Sequence, residues 1–208
     1  DPRRPLRIGY VSGDFKNHPV AWFMVRILAQ HDANRFEIFC YSNWYKADAM
    51  TKTINGHADA WRQIDALTDD NVAELVRQDR IDILIDLSGH TNGGRLGLFA
   101  LKPAPVQMTY LGYLNTTGLS TIDYRITDAY CDPPGTSDGY YVEKLLRLPN
   151  CMWCYNPHEE MPDVGALSAM ANGHITFGSF NNAMKINSEL TALLGRDTAT
   201  AVGHGAML

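Results

Sequence analysis

Three residues combine a reactive side chain with a position that could expose it to a ligand. The first is His18, in Gly13-Asp-Phe-Lys-Asn-His18-Pro19, between an apolar run at 6–11 and an apolar-faced segment at 21–30. A neutral imidazole there could take the proton of a hydroxyl, and the positive end of a helix dipole would favour its neutral form. The plainer alternative is a surface or capping histidine. The second is His90, which follows the run 81–87, expected to be the most buried strand, in the polar loop Ser88-Gly89-His90-Thr91-Asn92. It suits contact with a polar ligand, or a hydrogen bond that only orders its own loop. The third is Lys185, five residues beyond the strand expected over 174–180 and close to the start of a helical pattern. An ammonium beside amide side chains at a helix start suits a diphosphate, whose charge it would offset as a leaving group develops. A solvated lysine is the alternative. Gly93-Gly94 could let backbone approach a phosphate or sugar, although two glycines are a weak signal. Asp79 and Asp82, at the start of the 81–87 run, read as structural.

The elements that must hold these residues alternate. Apolar or β-branched runs at 6–11, 36–41 and 81–87 read as strands, with a short strand at 61–64. Helical patterns fall between them, at 21–30 with Pro19 in a first turn, more weakly at 48–57, and at 68–78 behind the capping candidate Thr68. Such β-α-β alternation predicts a doubly wound α/β layer with right-handed crossovers. A short helix at 96–101, stopped by Pro103, leads to strands at 106–111 and 123–127, and the run 143–148 follows. Ligands in such sheets bind at the carboxyl ends of strands, so the loops after 81–87 and 106–111 should form a site. The expected organisation is one lobe over residues 1–155, a proline- and glycine-bearing linker over 156–173, and the start of a second βα unit over 174–208.

The chain has 208 residues, 45% hydrophobic and 20% charged, with a net charge of −5. That composition belongs to soluble globular proteins. The negative balance removes the basic field that gathers nucleic acid. No apolar run approaches the roughly 18–20 residues that span a bilayer, and the first residues do not read as a signal peptide. A cytoplasmic protein is expected. Four cysteines are too few for a disulfide scaffold. Cys151-Met-Trp-Cys154 has metal or redox spacing, but no second pair completes a zinc set, and Asn156-Pro157 argues for a loop rather than a thioredoxin-type helix. An NAD-dependent oxidoreductase would need Gly-x-Gly-x-x-Gly after the first strand, which Ser12-Gly13-Asp14-Phe15 does not supply.

Read in order, several pieces resemble the catalytic region shared by protein O-GlcNAc transferases and the SPINDLY-type protein O-fucosyltransferases. They are 7–15 with Asn17-His18-Pro19; 81–84 with Gly89-His90-Thr91; Lys102-Pro-Ala-Pro-Val-Gln107; Gly112-Tyr113 with Thr116-Thr117-Gly118; Asp123-Tyr-Arg-Ile-Thr-Asp128; and 177–182 with Lys185. The set covers about residues 5–194, and its specificity lies in the order, not in any one piece. The resemblance implies a GT-B glycosyltransferase: a Rossmann-like doubly wound lobe, followed here by the first βα unit of an incomplete second lobe. It implies that the parent is an inverting enzyme moving a sugar from UDP-GlcNAc or GDP-fucose to Ser/Thr hydroxyls of proteins, with helical repeats upstream that capture those proteins. No metal or other cofactor is expected. His18 would match the family's active-site histidine, Lys185 the lysine at the donor diphosphate and Asn182 the amide position just before it. His90, Thr91, Thr116 and Thr117 would lie near sugar or acceptor. The wording of 46–49, 115–119 and 178–182 leans toward the SPINDLY branch. Because second-lobe elements and repeats are missing, the fragment alone is expected to be inactive. The rival reading is a non-catalytic, protein-binding lobe of a pseudo-enzyme.

Overall fold

The computed structural model describes residues 4–155, 157, 161–176, 178 and 183–201. By its internal packing the chain divides into two units, 1–158 and 159–208.

The first unit is a seven-stranded, all-parallel sheet in the order β3-β2-β1-β4-β5-β6-β7. Its strands are β1 (Leu6–Ser12), β2 (Phe36–Ser42), β3 (Ala60–Gln63), β4 (Ile83–Asp86), β5 (Val106–Tyr110), β6 (Tyr124–Asp128) and β7 (Lys144–Leu148). The first crossovers carry helices α1 (Pro19–Ala29), α2 (Ala49–Asn55) and α3 (Asp69–Gln78), and α4 (Leu96–Ala100) lies between β4 and β5. The strand order runs outward in both directions from the β1–β4 pair. That pair is therefore the switch point, where the loops leaving the two strands part and open a crevice.

Apolar side chains on both faces of the sheet make this layer. Ile8 and Tyr10 of β1 and Ile85 of β4 pack with Met24, Leu28 and Ile54 of α1 and α2. Val11 and Leu84, one position out of phase, pack on the other face with Val72, Val76, Leu98 and Phe99 of α3 and α4. Each fully buried side chain of this kind contributes roughly 1.5–3 kcal/mol. That surplus lets the carboxyl end of the sheet carry buried charge.

The helix starts are set by local chemistry. Pro19 occupies the first turn of α1, where a missing N–H is harmless. Asp48 and Thr51 form a reciprocal capping box on α2, and the Thr68 hydroxyl accepts from the Asn71 amide on α3. Both acids before β4 are engaged by arginines: Asp79 by Arg62 at 3.0 and 2.7 Å, Asp82 by Arg4 at 2.7 and 2.6 Å.

In the second unit, helix α5 (Ser168–Asn172) falls inside the stretch expected to be a plain linker. Gly173, at φ 69°, closes it in the left-handed region that glycine tolerates. Lys185 ends a 3₁₀ turn, Ala183–Lys185, and α6 (Ser188–Ala201) follows, with the Asn187 side chain accepting from the Leu190 amide at its start. Of the strand expected over 174–180, residues 177, 179 and 180 lie outside the described residues, and so does Asn182.

Candidate functional site

His18 is the cap of α1: its Nδ1 accepts a hydrogen bond from the Val20 amide at 3.3 Å. The same nitrogen lies 3.7 Å from Oδ2 of Asp14. Which of the two Nδ1 can engage depends on the tautomer. With its lone pair toward Val20, the proton sits on Nε2. With Nδ1–H directed at the Asp14 carboxylate, Nε2 presents a lone pair and can act as a base. The capping and catalytic readings of His18 are thus two tautomers of one geometry. Asp14 itself is buried and lies 3.6 Å from Lys16, whose ammonium stacks 3.3 Å over the Trp44 ring.

A cavity of about 560 Å³ opens beside His18, lined also by Phe23, Leu111, Gly112, Leu114 and Trp153. Phe23 and Trp153, with ring centroids 5.1 Å apart, form an aromatic side to it. It is an open, mostly apolar hollow with the His18 imidazole in its lining.

The loop after β4 is built on Asp86. This fully buried carboxylate accepts from the amides of Ser88 (3.1 Å) and Gly89 (2.9 Å) and from the Thr109 hydroxyl (2.8 Å). Burial pushes its pKa up, against those hydrogen bonds. Thr91 donates its hydroxyl to the Ser88 carbonyl at 2.6 Å. The two glycines of this loop answer to the protein's own backbone: a Cβ on Gly94 would overlap the Gly89 carbonyl, and Gly93, at φ 82°, lies against Gly13 of the β1 loop. Close backbone packing is thus one reason for glycine at 93 and 94.

His90 reaches across to the loop after β5. Its Nε2 lies 3.0 Å from the Thr117 carbonyl and its ring packs edge-on against Tyr113. Thr116 and Thr117 both donate their hydroxyls to Glu143. The loops that carry His18, His90 and Thr117 thus meet around the switch point. Lys185, exposed, belongs to the second unit.

The residues that reasoning from sequence did not single out are Asp14, Asp86, Glu143, Phe23 and Trp153. Asp14 had a signal, four residues before His18 in the same loop. Glu143 had none, because its partners are 26 and 27 positions away. Cys131, Cys151 and Cys154 are free thiols, and among the described residues no group of three or more His, Cys, Asp or Glu is placed to hold a metal ion.

Comparison with known proteins gives this geometry a family. The model of glycosyl transferase family 41 matches residues 2–193. A probable UDP-N-acetylglucosamine–peptide N-acetylglucosaminyltransferase SPINDLY from Arabidopsis thaliana is 44% identical over 200 residues, 94% of this chain and 22% of that protein. Its counterpart from Oryza sativa subsp. japonica is 47% identical over 191 residues, 90% of this chain and 20% of that protein. The structure of the K341M mutant of Thermobaculum terrenum O-GlcNAc transferase superposes with a TM-score of 0.88 at 41% identity, covering 97% of this chain and 38% of that one. The chain spans about a fifth of the length of these curated relatives. The α/β layer is the Rossmann-like lobe of a GT-B glycosyltransferase, and the chain belongs to glycosyl transferase family 41.

Proposed function

We propose that the protein to which this chain belongs moves a sugar from a nucleotide-sugar donor to Ser/Thr hydroxyls of proteins, and that this lobe supplies the His18 side of the reaction. The observation that carries the reading is the His18–Asp14 pair at the edge of an apolar cavity beside the switch point. The names of the relatives, peptide N-acetylglucosaminyltransferases, support UDP-GlcNAc as donor. The lean of the sequence toward the SPINDLY branch keeps GDP-fucose beside it.

In this reading the acceptor hydroxyl attacks the anomeric carbon from the face opposite the diphosphate. A carbon–oxygen bond forms, the bond to the leaving nucleoside diphosphate breaks, and the configuration inverts. The hydroxyl proton passes to Nε2 of His18 in the tautomer whose Nδ1–H faces Asp14, and that carboxylate steadies the imidazolium. Lys185 offsets the charge of the departing diphosphate, and Asn182 keeps the amide role that the resemblance implies for it. His90, Thr91, Thr116 and Thr117 shape the wall that receives sugar or acceptor. The same reading places the parent in the cytoplasm, with helical repeats upstream that gather protein acceptors. It treats residues 1–155 as the amino-terminal lobe and 174–208 as the beginning of a donor-binding lobe.

The test is donor profiling of the full-length parent. Labelled UDP-GlcNAc and GDP-fucose are each offered with a protein acceptor, with the wild type and with Lys185→Ala. One donor should transfer, and Lys185→Ala should abolish transfer. Wild-type turnover in that variant overturns the role of Lys185. No transfer from either donor by an intact parent leaves the protein-binding lobe as the better reading.

A further inference from the structure

Two buried charges lie under the loop 111–118, and the chemistry proposed above uses neither. Arg125 of β6, 1% exposed, donates to the carbonyl of Tyr113 at 2.8 Å. Glu143, 3% exposed and placed just before β7, accepts from the Thr116 hydroxyl at 2.7 Å, the Thr117 amide at 2.7 Å and the Thr117 hydroxyl. The two threonine oxygens pass the restraint on. Thr116 Oγ1 accepts from the Gly118 amide at 3.1 Å and the Val142 amide at 3.3 Å, and Thr117 Oγ1 from the Leu119 amide at 3.3 Å.

Burying a carboxylate is unfavourable unless its oxygens are well matched, and replacing such a group by an apolar one is often neutral for stability. Stability alone therefore does not require a charge at this position, even where its hydrogen bonds outweigh the cost of burial. What the arrangement does accomplish is local. All three donors on Glu143 belong to Thr116 and Thr117, at one end of a loop whose other end, Leu111, Gly112 and Leu114, lines the His18 cavity. The same Thr117 offers its carbonyl to His90. Glu143 thus grips the residue whose carbonyl meets His90, beside the contact of the His90 ring with Tyr113.

We propose that Glu143 is a positioning residue of the site, acting through Thr116 and Thr117 to hold the 111–118 loop as a wall of the His18 cavity. Its effect on transfer rests on the glycosyltransferase reading; its effect on the loop does not. Glu143→Gln keeps the size of the side chain but replaces one acceptor oxygen with a donor that meets Thr hydroxyls and an amide already donating. In the full-length parent, amide hydrogen exchange in 111–119 should accelerate tenfold or more in Glu143→Gln, while amides of β1 and β4 keep their protection. Transfer should fall at least tenfold in kcat/KM, and Glu143→Asp should recover part of both. Unchanged exchange in 111–119 overturns the proposal, as does a loosened loop with wild-type kcat/KM. Should Glu143→Gln not fold, Thr117→Val removes one of the three bonds; faster exchange in 111–119 with reduced kcat/KM then supports the proposal, and wild-type values of either overturn it. If the wild-type parent transfers no sugar, the functional reading fails on its own, and the exchange result still decides whether Glu143 sets the loop.

Discussion

The imidazole of His90, on the loop after β4, meets the carbonyl of Thr117, on the loop after β5, at 3.0 Å. With the packing of Tyr113 on the same ring, this bond ties the two loops that wall the candidate site. His90→Phe keeps a ring against Tyr113 but removes the bond. It should lower stability by about 1 kcal/mol and raise exchange in both loops, while transfer by the full-length parent falls several-fold. A urea titration with exchange mass spectrometry checks it, and protection that stays at the wild-type level would remove His90 from this role.

Asp14 lies 3.7 Å from His18 Nδ1 and can hold the tautomer in which Nε2 is a base. Asp14→Asn leaves the Val20 cap available and removes the charge that steadies an imidazolium. In the full-length parent it should lower kcat by about tenfold or more with little change in acceptor KM. An unaltered kcat would leave His18 as a cap alone.

Asp86 accepts two amides and a hydroxyl in a fully buried place. Asp86→Ala strands those donors, and each buried donor left unpaired costs about 1–3 kcal/mol. The variant should therefore lose more stability than His90→Phe, by about 2–4 kcal/mol, with the damage centred on the 88–91 loop. Denaturant midpoints of the two variants side by side test the order.

Acid should unfold the chain through carboxylates whose charged form the fold favours. Asp82 is held below the usual range by its bonds to Arg4. Asp128 is held down by the amides of Cys131 and Met152. For Glu143, burial pushes upward, but the bonds from Thr117 and Thr116 outweigh it and the net is downward. A folded pKa below the unfolded value of about 4 gives stability that is present above that value and lost as pH falls through the folded one. Asp86, raised by burial, works the other way: its contribution is fullest below the unfolded value and declines as pH rises through the folded one. Asp48, Asp123 and Asp138 are held down as well, so the lowered groups outnumber Asp86 and predict a net loss on acidification. Urea midpoints at pH 7 and pH 3 should show it, and Glu143→Gln should make the drop shallower.

What the chain dictated by itself was whatever short-range physics writes into neighbouring residues. Apolar runs at 6–11, 36–41 and 81–87 bury strands from both faces. Pro19, Asp48 and Thr68 mark the helix starts, and the alternation of the two periods specifies a doubly wound sheet. His18 was legible because strand, loop and helix follow one another within a few residues, and its Asp14 partner could have been read from the same loop. Tertiary structure decided the rest. Glu143 meets Thr117 only because parallel pairing sets β7 beside β6, which brings a glutamate with no local signal beneath a loop 26 residues earlier. His90 finds Thr117 because β4 and β5 are neighbours, and Trp153 reaches the His18 cavity from a segment that follows the last strand. A hydrogen bond or a cavity wall forms between groups that are close in space. Sequence shows that closeness only where the chain has had no room to leave and return.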